Sequence, residues 1–136
     1  MAAPNIVNVA TITGKTTAAN MTTSNAAFVT CSSEYVFKIN SIIVANIDGV
    51  NAATVTVYFY DSSAGARFQL ASTVNVPADS TLVVLGKDSA IYLEEGDKIE
   101  GMASANSDLC MTVSYEEITV FQFWLHIAQH ISCQSL

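Results

Sequence analysis

Charge is scarce in this chain. Asp, Glu, Lys and Arg make up 12% of its 136 residues, against about a quarter in an average soluble domain. The five cations, Lys15, Lys38, Arg67, Lys87 and Lys98, are scattered and form no basic cluster. Neutralising a phosphate backbone takes grouped Lys and Arg, so the composition argues against direct nucleic-acid binding. The net charge of −7 favours solubility and basic partners without selecting one. Histidine is absent before His126, and no GxSxG occurs. A Ser or Cys nucleophile would have to borrow its base from the C-terminal stretch, which argues against a triad. Asp48, Asp61 and Asp97 stand in no DxDxDG calcium loop. Gly14-Lys15-Thr16 resembles the end of a phosphate loop, but Val9 stands where the upstream glycine belongs. The three cysteines, Cys31, Cys110 and Cys133, are odd in number, widely spaced and outside any CxxC pair. Met1 leads into polar sequence without a basic and then apolar leader. The expectation is reduced thiols, with synthesis in a cytoplasm.

What the chain does have is alternation. In residues 35–61, Tyr35, Phe37 and Ile39 alternate with Val36, Lys38 and Asn40, and Val55, Val57 and Phe59 alternate with Thr54, Thr56 and Tyr58. Period-two patterning in β-branched and aromatic residues predicts half-buried strands. Asp48-Gly49 between the two runs predicts a turn, and the stretch reads as a central hairpin. Further strands are expected at 5–13, ended by Gly14, and at 26–31 with Phe28 in the core. Residues 15–24 read as a twisted strand or an extended loop. Another strand is expected at 67–76 with Phe68, Leu70 and Val74 buried, followed by strands at 81–85, 91–93, 98–103 and 109–117. In the last, Leu109, Met111, Val113 and Tyr115 share one face. Strands at this spacing, with turn residues between them and no long helical period before residue 118, predict an all-β chain. The expected fold is a single antiparallel β-sandwich, jelly-roll-like, over residues 1–118, with an extended N-terminal arm.

Residues 119–136 differ in character. From 118 onward there is no Asp, Glu, Lys or Arg, and Trp124 is the only tryptophan. Val120, Phe121, Trp124, Leu125, Ala128 and Ile131 approximate a helical stripe, so this is read as an apolar, helix-prone extension. It is too short and too interrupted to span a bilayer. His126, His130 and Cys133 share a spacing that zinc uses, but an HxxxH without a neighbouring Glu is a weak motif, and packing is the preferred reading. The acidic turn Glu94-Glu95-Gly96-Asp97 reads as a solvated turn. Glu116 and Glu117 point to opposite strand faces and do not form a catalytic pair. No catalytic residue, metal or cofactor is assigned.

Three segments carry a resemblance: NIVNVATITGKTTAAN, VFKINSIIVANIDGVNAATVTVYFYD, and VPADSTLVVLGKDSAIYLEEGDKIEG with the later VSYEEI. Together, over most of residues 5–118, they resemble small virion structural proteins of tailed phages, particularly those of marine cyanobacteria. The extension after 118 departs from that pattern. The resemblance implies a non-enzymatic β-sandwich made in a bacterial cytoplasm and incorporated into the virion. Its implied role is a capsid decoration or cement protein bound to the major capsid protein. A neck, tail or baseplate component is the near alternative. Homo-oligomerisation in the particle is expected, with neither nucleic acid nor membrane as a direct partner. The residues expected to meet partners are the arm residues Asn5, Ile6, Val7, Asn8, Val9 and Lys15, the turn residues Asp48, Gly49 and Asn51, the acidic turn residues Glu94, Glu95 and Asp97, and Trp124. Two competing expectations are a carbohydrate- or receptor-binding module using Tyr58, Tyr60 and Tyr92, and a metal enzyme using His126, His130 and Cys133.

Overall fold

A computed structural model describes residues 11–119. Asn5, Ile6, Val7, Asn8 and Val9 lie outside the described residues, as do Trp124, His126, His130 and Cys133. Among the described residues nine strands follow in order: β1 (Thr11–Asn20), β2 (Ala26–Thr30), β3 (Val36–Asn46), β4 (Ala53–Asp61), β5 (Ala66–Val76), β6 (Thr81–Leu85), β7 (Ile91–Leu93), β8 (Lys98–Ala103) and β9 (Leu109–Thr119). A 3-10 turn, Lys87–Ser89, separates β6 from β7. Thr, Val, Ala and Ile are the commonest residues of these segments, and the β-branched three suit pleated, half-buried surfaces. Thr119, placed by the sequence at the start of the extension, is the last residue of β9.

The strands form two antiparallel sheets. One runs β1-β9-β3-β6 with β7 also on β3, and the other runs β2-β8-β4-β5. The pairs β1–β9, β2–β8, β3–β6 and β4–β5 are those of one long hairpin, and β3–β9 and β4–β8 are the contacts made when it rolls up. That order is a jelly roll, a double-sheet sandwich, so the expected fold class is observed.

The expected hairpin across residues 35–61 is not observed. β3 and β4 belong to different sheets, and residues 47–52 carry the chain from one layer to the other. A two-residue Asp-Gly hairpin turn needs φ > 0 at its glycine, whereas the positive-φ glycines are Gly65 and Gly96. Side chains shape the link instead. The Asp48 N–H donates to Asn46 Oδ1 at 2.9 Å, and the Val50 N–H to Asp48 Oδ1 at 2.8 Å. The hairpin at the centre of the roll is β4–β5. Asp61 Oδ1 accepts the N–H groups of Ser63 and Ala64 at its tip, and Gly65 takes φ 63°.

Inner faces of both sheets meet in one apolar core that includes Phe37, Ile39, Ile42 and Val44 from β3, Val55 and Val57 from β4, and Leu109, Met111 and Val113 from β9. The β3 alternation changes parity midway, because the register with β9 shifts between Ile39 and Ser41. Asn40 is the extra residue, and its bulge turns Ile42 and Val44 inward. Gly101 has an inner position where a Cβ would come 2.8 Å from the Met21 Cε, so the methionine methyl fills that space.

Three further expectations are corrected. Gly14 does not end a strand: β1 passes through it, paired with Glu116, and continues to Asn20. Phe28 is only partly buried while Val29 enters the core, because the register with β8 shifts between Ala27 and Val29. Phe68 and Leu70 are exposed, since β5 is an edge strand; Val74 packs partly on the core, and Val76 closes it.

Removing a buried side chain loses its transfer free energy and leaves a cavity. Ile99→Ala or Leu93→Ala, both fully buried, is therefore expected to lower the unfolding free energy by about 2–5 kcal/mol in urea denaturation. Val83→Ala, on the exposed margin, is expected to change it by about 0.5 kcal/mol or less.

Candidate interaction surfaces

The acidic turn between β7 and β8 is built into the sandwich. Asp97, expected at an exposed turn, is 5% exposed. Its Oδ1 accepts the Ser62 N–H at 2.9 Å and its Oδ2 the Glu94 N–H at 3.0 Å. Gly96 takes φ 88°, and a Cβ there would lie 2.6 Å from Ser62 Oγ. Backbone bonds Cys31 N–H to Asp97 O and Gly96 N–H to Cys31 O fasten the same turn to the end of β2. Glu95 accepts the Glu34 N–H at 2.9 Å and the Ser33 hydroxyl at 3.1 Å. These donors, the backbone N–H first, hold its carboxyl below the usual carboxylate range. Glu94 alone of the three acids keeps an exposed position.

At the opposite end stand Asp48, Gly49 and Asn51. The Asp48 carboxyl is also held low, chiefly by the Val50 N–H and then by the Asn51 amide, which donates to Oδ2 at 3.1 Å. Asp48 O accepts the Asp79 N–H, joining this link to the β5–β6 turn. Ile47 and Val50 are exposed here, Val50 at 84%. Lys15 lies in β1 rather than in a free arm. Its ammonium sits 3.1 Å from Glu117, which raises its pKa. The candidate residues within the described range thus fall at two ends and one edge and do not converge on one site.

The broad surfaces are the outer faces of the sheets. On the five-stranded sheet, pairing and pleat place Gly14, Thr16, Ala18 and Asn20 beside Glu116, Ser114, Thr112 and Cys110, and these beside Lys38, Ser41, Ile43 and Ala45. The same register puts Ile12, Ile118 and Val36 on this face, so these rows mix Ala, Ser and Thr with larger apolar side chains, and among the described residues their charge enters where Lys38 lies opposite Glu116. Val83 and Tyr92 border it from β6 and β7, both exposed. On the four-stranded sheet, Arg67 and Lys98 stand over the Tyr60 ring, at 5.4 and 5.2 Å from its centroid. Arg67 Nε donates to Glu100, which also accepts the Asn25 amide at 3.1 Å. Tyr58 and Tyr60 therefore share one sheet while Tyr92 borders the other, and the three do not form one platform.

Sequence reasoning missed Asn46 and Glu100, both buried polar residues. Asn46 donates to Asn51 O at 3.0 Å and to Val76 O at 2.9 Å. Its only signal was an amide at the end of an apolar run. Glu100 alternates outward in the strand pattern, and only the fold shows Arg67 and Asn25 closing over it. Cys31, expected in a strand, lies just beyond β2, buried, with its thiol toward Tyr35 O at 3.3 Å and Leu93 O at 3.5 Å. Burial pushes its pKa up to about 12. Among the described residues, no three His, Cys, Asp or Glu side chains gather as a metal site.

No family model and no curated protein matches the chain. Among solved structures, a chain from Bacillus endospore appendages, described as a novel family of disulfide-linked pili, is similar with a TM-score of 0.48 at 15% identity, covering 81% of this chain and 89% of that one. A chain of the extra small virus VLP of the giant freshwater prawn Macrobrachium rosenbergii is similar with a TM-score of 0.40 at 12% identity, covering 85% and 86%. Superpositions this loose carry no functional argument, and the fold assignment rests on the strand pairing itself.

Two outcomes are expected from this geometry. Asp97→Ala orphans two backbone N–H groups and is expected to cost about 1–3 kcal/mol for each that stays dry, whereas Glu94→Ala leaves urea stability nearly unchanged. The Cys31 thiol, its folded pKa raised above the unfolded value, contributes fully below the unfolded pKa, and that contribution is lost as pH rises toward 12. A thiol reagent is expected to label Cys31 only on unfolding at neutral pH, and Cys31→Ala is expected to flatten the alkaline loss of stability in a pH series of melts.

Proposed function

We propose that this chain is a structural subunit of a virion, a capsid decoration or cement protein that covers a lattice of major capsid protein in a tailed phage. The observation that supports this most directly is the outer face of the five-stranded sheet. Across β1, β9 and β3 it is wide and mostly uncharged, with Ala, Ser and Thr beside Ile12 and Ile43, and its charge there is confined to Lys38 and Glu116. Such a face lets another backbone approach closely and pays little desolvation cost when covered. The sequence resemblance to virion proteins of marine cyanobacterial phages points the same way. Weak docking at each lattice point becomes firm when the lattice presents many identical sites and bound subunits touch one another. In this reading the chain performs no chemistry, and its partners are the capsid protein and neighbouring copies.

Proteomics of density-banded particles from a lysate that carries this coding sequence tests the reading. A decoration protein is expected at a stoichiometry close to that of the major capsid protein. A few copies per particle would move the chain to the neck, tail or baseplate. Absence from washed particles would remove the virion reading altogether.

A further inference from the structure

Among the described residues four edges bound the two sheets, and three of them are blunted. β2 has five residues and a register shift at Phe28. β5 shifts register twice against β4, and Thr73 adopts φ 45°. The far edge of the five-stranded sheet is split between β6 and β7, with residues 86–90 between them. Short strands, bulges and breaks of this kind prevent unwanted strand addition. β1 has none of them. It pairs with β9 through ten consecutive residues, Thr11↔Thr119 to Asn20↔Cys110, without a shift. It contains no proline, and its one charge, Lys15, is engaged by Glu117 on its own sheet. Among the described residues β1 is hydrogen-bonded to a strand on one side only.

We propose that this edge is where a second copy of the chain pairs, β1 against β1 and antiparallel, joining two five-stranded sheets about a two-fold axis. The proposal deepens the structural-subunit reading and rests on it. A strand that offers bare backbone and almost no charge fits another strand of the same kind, since neither brings a carboxylate or ammonium that needs a partner. The two Lys15 ammonium groups select the register. Centred on Lys15, the pairing would set like charges directly opposite, which is unfavourable. Centred on Thr16, it sets Thr16 against Thr16, Lys15 against Thr17 and Gly14 against Ala18. The mostly uncharged outer faces of the two sheets then become continuous, doubling the surface available to a lattice.

The test is sedimentation equilibrium of the full chain over a wide concentration range, with hydrogen–deuterium exchange of β1 amides at both extremes. Gly14 and Ala18 are exposed on the outer face, and nothing lies within 4 Å of a Cβ at Gly14. Gly14→Lys with Ala18→Lys sets ammonium groups against each other across the two-fold axis. Gly14→Lys with Ala18→Glu sets an ammonium against a carboxylate. The expected result is a dimer whose β1 amides slow with concentration, weakened at least tenfold in the first variant and retained in the second, with both variants matching the parent in thermal melts. A full chain that stays monomeric throughout overturns the proposal. So does association with no change in β1 exchange, or association that survives the doubly lysine variant. In each of these cases, incorporation into particles still decides the structural-subunit reading by itself.

Discussion

The roll depends on taking the chain across from one sheet to the other without leaving backbone groups dry. Two buried polar side chains manage this, one at each end. Asn46 binds Asn51 O and Val76 O and accepts the Asp48 N–H, so the end of β3, the crossing link and the end of β5 are held by one amide. At the opposite end the Asp97 carboxylate holds the tip of β4–β5 and its own turn. In an interior of low effective dielectric these bonds are strong, and their loss leaves donors that water cannot reach. The apolar core drives the sheets together, and Asn46 and Asp97 decide which crossing the chain takes.

Locating the crossings at the ends frees the faces. The acidic turn is occupied with internal bonds through Asp97 and Glu95, which leaves little of it for a partner. The half-exposed Arg67 pairs with a nearly dry Glu100 and stacks on Tyr60. Solvent at the exposed guanidinium screens this pair, and its geometry fixes the outer face of the four-stranded sheet. The outer face of the other sheet is mostly uncharged, with Ala, Ser and Thr beside Ile12, Val83 and Tyr92. The few charges of the sheets are mostly engaged within the fold: Lys15 with Glu117 on one sheet and Arg67 with Glu100 on the other.

The strands were nearly all legible: residues 26–30, 81–85, 91–93 and 98–103 fall where strands were expected, and β3 lies inside the stretch read as a hairpin. Alternation reports that a strand has an inner face but not which sheet it joins, so β3 and β4 read as a hairpin when they lie in opposite layers. It also presumes an unbroken pleat, and the bulge at Asn40 reverses the parity within one strand. Phe68 and Leu70 read as core because apolar residues in a strand ordinarily are, whereas exposure at a sheet edge depends on where the strand finishes in the order. The interaction residues were less legible still. Asp97 looked like any turn acid, and only the N–H groups of Ser62 and Glu94 that it accepts show it as a tie.

Edges complete the account of how this fold meets others. A jelly roll closes by wrapping but keeps two open margins in each sheet, so each margin needs a device or a partner. Bulges, a positive φ and a break serve three margins here, and none of these devices raises the stability of the monomer. Extra residues that weaken pairing are retained where unpaired strands carry a cost, and leaving β1 unbulged, ten residues long and with Lys15 as its one charge, drawn to Glu117 of its own sheet, runs against that pattern among the described residues. Local choices that agree everywhere except at one place single out that place as functional. By the same reasoning the outer face next to β1, from Gly14 to Asn20 and across to Ala45, gains its meaning from the edge. A mostly uncharged surface that ends in an edge without a bulge can extend across it, and one that ends in a bulge or a break cannot.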